Sequence, residues 1–201
     1  MTKSLKEQNA SPKKTRRRSQ SSHEAILKAT VELLEEVGYV RMSIEGIARR
    51  AGVGKQTIYR WWSSKAALVM EAYTTVVANK FPLPNTGKVQ EDLETIFCPL
   101  FKVLNTTTAG VALAGIMTEA QNNPELAQAF RDQFVASRRT TIKKILSSGI
   151  KRGELREDMD LECAVDSFYG AMWYRLLLGH APLDEDFAQI LIAQLLQGIQ
   201  S

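Results

Sequence analysis

The chain has 201 residues, 44% of them hydrophobic and 24% charged, ordinary values for a folded protein whose core needs no staples. No apolar run approaches the roughly 20 residues that span a bilayer and the N-terminus lacks a signal peptide's apolar stretch, so a cytoplasmic protein with no membrane partner is expected. The net charge of +4 conceals an asymmetry: residues 1–80 carry 15 Lys and Arg against 7 Asp and Glu, residues 81–201 carry 11 against 15, and a basic front half suggests a polyanionic partner.

Residues 1–21 are rich in Lys, Ser and Gln, with Arg16, Arg17 and Arg18 near their end and Leu5 the only sizeable apolar side chain. The composition predicts a disordered basic arm, which either is a plain solvated tail or holds phosphates. A first helix is predicted from about Ser22 to Val37, because Ile26, Ala29, Thr30, Leu33, Leu34 and Val37 form one stripe, with Gly38 closing it. A second helix starts at Ser43, with Glu45 in its first turn and Ile44, Ile47, Ala48 and Ala51 on its apolar side. Gly52 ends it. A third helix spans roughly Gly54 to Trp61, with Ile58 and Trp62 facing inward, and Ser63 or Ser64 caps a fourth that reaches about Lys80. Pro82 and Pro84 then mark a domain boundary.

The unit from Ser43 to Trp62 is a helix-turn-helix by spacing. Its second helix presents Lys55, Gln56, Thr57, Tyr59, Arg60 and Trp61 on the face opposite its few apolar residues. Gln and Arg pair bidentately with base edges, while Thr, Tyr and Lys bond to phosphates. The bland alternative is two core helices with a polar outer face.

The stretch from Ile47 through Ala51-Gly52-Val53-Gly54 and Thr57-Ile58-Tyr59 to Leu68, preceded by Gly38-Tyr39, resembles the DNA-binding domain of TetR-type transcriptional repressors. The resemblance is specific over about residues 22–75. It implies a homodimer, an N-terminal three-helix reader and a C-terminal helical domain that binds an effector. By matching position, Thr57 and Tyr59 take the place of recognition-helix DNA contacts, Lys65 that of a phosphate contact at the start of helix 4, and Ser43 that of the helix 2 cap. Two positions depart from the pattern: Gly54 stands where a Ser cap is usual, and Trp62 where Phe is usual.

The rear half shows helical stripes and no strand signal. Helices are predicted at about 89–105, 109–121, 124–151, 160–179 and 184–199, capped by Asn123, Asp160 and Asp184 where a cap is legible. The last two carry more apolar surface than one small core can cover, which suggests a partner subunit meeting Phe168, Leu176, Leu191, Leu195 and Ile199 in a four-helix bundle; a central, fully covered helix in a monomer is the alternative. Phe97, Phe101, Met117, Phe130, Phe134, Met172 and Trp173 are either plain core or the lining of an apolar ligand pocket, the latter chiefly by the resemblance.

Chemistry has little support. His23 and His180 belong to no Ser-His-Asp or metal-spaced cluster, Cys98 and Cys163 fit no metal spacing, and no glycine-rich phosphate loop is present, so no metal, cofactor or catalytic residue is expected. The expectation is an all-α protein of about nine helices: an arm at 1–21, a helix-turn-helix domain at 22–80 and an effector-binding, dimerising domain at 81–201. Its function is expected to be a ligand-responsive repressor that binds an inverted-repeat operator in double-stranded DNA as a homodimer. The competing class is a helical small-molecule-binding protein or enzyme with a vestigial reader.

Overall fold

The stripe over Ile26 to Leu34 becomes the inner face of a long first helix. The computed structural model describes residues 12–78 and 83–199, with side chains described over 20–75 and 83–198. Helix α1 (Pro12–Arg41) starts ten residues before the expected Ser22 and kinks at Gly38 (φ +74°, ψ 169°), after which a last turn reaches Arg41. Residues 1–11 of the expected arm, and the side chains of Arg16, Arg17 and Arg18, lie outside the described residues. Ile26, Ala29, Thr30 and Leu34 are buried, and the Thr30 hydroxyl is satisfied by donating to the Ile26 carbonyl at 2.7 Å.

Helices α2 (Ile44–Ala51), α3 (Lys55–Tyr59) and α4 (Lys65–Ala78) follow. Ser64, rather than Ser63, caps α4: its Oγ accepts the Ala67 N–H at 3.1 Å. Ile44, Ile47, Ile58, Trp62 and Leu68 close the front core against α1.

Helices α5 (Val89–Thr106) and α6 (Thr108–Ala120) meet at 90°. The corner needs Gly110, since a Cβ there would lie 2.1 Å from the Leu104 carbonyl oxygen. Helix α7 (Pro124–Phe130) runs through a π-helical turn (Arg131–Val135) into α8 (Ala136–Arg152), then come α9 (Leu161–Leu178) and α10 (Glu185–Ile199). With α7, the π turn and α8 taken as the single rod expected over 124–151, the described residues hold nine helices. The caps fall where expected: Asn123 accepts from Leu126 N–H, Asp160 from Glu162 and Cys163 N–H, Asp184 from Phe187 N–H.

The two halves share one hydrophobic core. Helix α1 packs on α6, and α4 packs on α7 and the π turn. The Tyr73 hydroxyl on α4 donates to the Ala109 carbonyl at 2.9 Å, bringing a polar group across that seam. Among the described residues no single helix is long and apolar enough to cross a membrane.

Candidate nucleic-acid interface

Helix α2 is fixed at both ends. Ser43 Oγ accepts the Gly46 N–H at 3.1 Å, and Gly52 (φ +66°, ψ 32°) turns the chain so that the Val53 N–H reaches the Ala48 carbonyl at 3.0 Å. That left-handed turn aims α3 away from α2. Gly54, at the α3 N-cap, offers no side-chain bond, as its departure from the usual Ser implies. Ile58 is fully buried and Trp62 nearly so, which anchors α3 from below. Gln56, Arg60 and Lys55 are exposed, Tyr59 is 56% exposed, Trp61 42%, and Thr57 is half-buried.

Charge is distributed less simply than the sequence suggests. Lys55 Nζ lies 2.7 Å from Glu45 Oε1, a bond that raises the lysine's pKa and lowers the glutamate's. Arg50 grips Glu36 through two bonds of 2.6 and 2.8 Å, tying α2 to α1. Arg49 and Arg60 are exposed and pair with no carboxylate among the described residues. Lys65 donates to the carbonyls of Tyr39 at 3.0 Å and Met42 at 3.3 Å, and its ammonium stands 4.1 Å from the Tyr39 ring centroid. Burial pushes the Lys65 pKa down; burial first, then the charges of Glu125 and Glu119, push Tyr39 up to about 12. Lys65 therefore holds the end of α1 in place through two of its three donors.

Trp61 and Trp62 belong to a cluster that sequence reasoning missed. His23 on α1 stacks on Trp62 and meets Trp61 edge-on, both at 4.8 Å between centroids. Glu71 on α4 receives the Trp62 indole N–H at 2.8 Å on one carboxylate oxygen and lies 3.2 Å from His23 Nε2 with the other. Trp61 is thus partly held by the domain itself, and α4 is keyed to the end of α3.

The sequence profile of bacterial regulatory proteins of the tetR family matches residues 26–72, and that of the tetracyclin repressor-like C-terminal domain matches residues 83–195. The chain belongs to the TetR family. It is 35% identical to the HTH-type transcriptional regulator YdeS of Bacillus subtilis, over 94% of this chain and 95% of that one. The crystal structure of the TetR family regulator SCO0332 superposes with a TM-score of 0.77 at 33% identity, covering 90% of this chain and all of that one. FadR of Bacillus subtilis, solved with stearoyl-CoA, shares the fold (TM-score 0.73, 20% identity, 89% of this chain and 100% of that one). As a TetR-family member the chain is a DNA-binding transcriptional regulator, the reading favoured over an enzyme or binding protein with a vestigial reader.

In this TetR-family protein the aromatic residues expected around a pocket divide in two. Phe97, Phe101 and Met172 are fully buried, Phe97 stacking on Phe168 at 5.4 Å and meeting Phe101 edge-on at 5.7 Å, so they are core. Phe130 is buried against Phe134 and Trp173, and Met117 is half-buried. Phe134 and Trp173 line a cavity of about 350 Å³ between the π turn, α8 and α9, together with Arg138, Tyr169 and Gly170.

The residues expected at a dimer interface also divide. Phe168 is fully covered by its own chain, and Leu176, Leu191 and Leu195 are half-buried. The Ile199 side chain lies outside the described residues. Among the described residues of α9 and α10, Tyr174, Leu177, Leu178 and Ile190 are the large apolar side chains left exposed. Among the described residues no group of three His, Cys, Asp or Glu stands close enough to hold a metal.

Proposed function

We propose that the protein is a cytoplasmic, effector-responsive repressor that binds an inverted-repeat operator as a homodimer. The observation that carries this is the outward face of α3. Gln56, Tyr59 and Arg60 project into solvent from a helix whose opposite side is locked by Ile58 and Trp62. A short rigid helix with an amide, a phenol and a guanidinium outward is shaped for a major groove. Gln56 and Arg60 read base edges; Thr57, Tyr59, Lys55 and the remaining donor of Lys65 meet phosphates; Ser43 positions the start of α2; Trp61 packs beside the groove. Exposed Arg49 adds a further phosphate contact.

The exposed apolar stripe of α9 and α10 supports pairing of two copies, which sets two α3 helices a whole number of helical turns apart. Residues 81–201 then form the effector-binding and dimerising domain. A fold neighbour holds stearoyl-CoA, and here the effector is a small molecule of apolar character. It acts by favouring a dimer geometry in which the two α3 helices no longer match the operator spacing, within the limit of its differential affinity for the two geometries.

Sedimentation combined with mobility shifts on duplex DNA across salt tests the reading. A dimer at micromolar concentration, with affinity falling steeply as salt rises, is the expected result. A monomer, or a protein indifferent to DNA at low salt, would contradict it.

A further inference from the structure

Among the described residues Arg138 is a cation without a counter-charge. It sits in the first turn of α8, its guanidinium 3.7 Å from the centroid of the Phe134 ring. No ion pair or side-chain hydrogen bond reaches it among the described residues. Its neighbour behaves differently: Arg139 pairs with both Glu162 and Asp166, and Lys143 takes the other oxygen of Glu162. Glu162 is engaged through both oxygens and Asp166 through one, and neither pairs with Arg138. Burial pushes its pKa below the ordinary arginine value, the direction expected when a guanidinium loses water and gains no anion in exchange. An unpaired, desolvated charge is costly, so a fold that keeps one leaves room for a partner.

The room is the 350 Å³ cavity, at the small end of the range for small-molecule sites. Its walls are largely aromatic, from Phe134, Tyr169 and Trp173; Val135 and the Arg139–Asp166 ion pair also line it, and Gly170 leaves one side bare. Phe134 stands in the π turn, a local widening of the helix of a kind that recurs at functional sites. Burial pushes the Tyr169 phenol up to about 12, so Tyr169 faces the cavity as a neutral hydroxyl. One free guanidinium at the edge of an aromatic slot matches one kind of molecule.

We propose that this cavity binds a small amphipathic organic anion, its carboxylate or sulfonate paired with the Arg138 guanidinium and its apolar body stacked among Phe134, Tyr169 and Trp173. The planar guanidinium can hold the anion through two parallel N–H donors while its face stays on the Phe134 ring. The proposal rests on the reading of the C-terminal domain as an effector domain, and it names the class of effector.

Two fluorescent probes separate charge from apolar bulk. Anilinonaphthalene sulfonate and N-phenylnaphthylamine share an aromatic body and differ by the sulfonate. The full-length protein should bind the sulfonate at one site per subunit, roughly ten- to a hundredfold more tightly than the neutral probe, the range of a charge-assisted bond. Arg138→Met should abolish that preference, with N-phenylnaphthylamine binding within about twofold of wild type, and Arg138→Lys should keep part of it. Wild-type protein carries the test without a variant as well: octanoate should displace the sulfonate probe, and octanol at equal concentration should not. The proposal is overturned if Arg138→Met binds the sulfonate as wild type does, if it loses both probes alike, or if octanol displaces as well as octanoate. It is equally overturned if Arg138→Met turns a dimeric protein monomeric, which would assign the guanidinium to a carboxylate of a second copy. None of these measurements involves DNA, so a failed anion site leaves the operator reading standing, and a failed operator reading leaves the anion site standing.

Discussion

Lys65 stands where a phosphate contact is expected, yet two of its three donors are engaged by the Tyr39 and Met42 carbonyls. Lys65→Ala should therefore do two things: destabilise the protein by about 2 kcal/mol, the scale of charged hydrogen bonds lost to buried acceptors, and weaken operator binding. Thermal unfolding and operator affinity measured together check this, and an unchanged melting temperature would return Lys65 to a pure phosphate role. Gln56 is the contrasting case. It is exposed and its side chain has no partner among the described residues, so Gln56→Ala should leave stability within about 0.5 kcal/mol. It should instead reduce discrimination between operator and scrambled duplex by about 1–3 kcal/mol, read as the ratio of the two affinities. Spacing and residue type were enough to mark Gln56 and Lys65 as candidate DNA contacts. They could not reveal which cations arrive already paired, because Arg139 meets Asp166 across 27 positions and Arg50 meets Glu36 across 14. For the same reason Arg138 went unnoticed: nothing local marks a guanidinium that long-range pairing leaves alone.

At the scale of elements, α4 joins the helix-turn-helix domain to the C-terminal domain. Glu71 bonds the Trp62 indole near the end of α3 and lies against His23 of α1. Two residues along, Tyr73 donates to Ala109 and its ring lies 5.9 Å from that of Phe134 at the cavity wall. Glu71→Ala leaves the indole N–H of the buried Trp62 without its acceptor and frees α4 from α3. The expected cost is about 1–3 kcal/mol of stability. The expected functional sign is a smaller change in operator affinity on adding effector, measured by titration with and without the anion; an undiminished response would remove Glu71 from the coupling. Helix starts were legible from sequence at the side-chain caps Ser43, Asn123, Asp160 and Asp184, whereas the Thr107 cap of α6 was not read. The extension of α1 back to Pro12 was hidden because a polar, basic segment carries no stripe, and the π turn at Arg131–Val135 because one residue of slack barely disturbs a helical period. The short α3 ends at Tyr59 rather than Trp61: the Trp61 N–H bonds the Ile58 carbonyl three residues back, a tighter turn than the α-helical pattern.

At the scale of the whole molecule, the proposed function requires two readers held at a fixed separation. The apolar excess on the last two helices was visible in the sequence, but its distribution was not: Phe168 went inward against Phe97, while Leu178 remained 61% exposed. Leu178→Glu places a charge where a second copy is proposed to pack. It should leave the monomer folded, shift sedimentation toward monomer and cut operator affinity by the loss of bivalency. A fully dimeric Leu178→Glu protein with normal operator binding would move the interface elsewhere. The most direct test of the central claim is selection of bound duplexes from a random pool, followed by sedimentation of the protein on the winning sequence. The expected outcome is an inverted repeat carrying a dimer, with half-sites one helical turn or a multiple apart and with enrichment that Gln56→Ala relaxes within each half-site. No enriched sequence, or an asymmetric site carrying a single chain, would contradict the account.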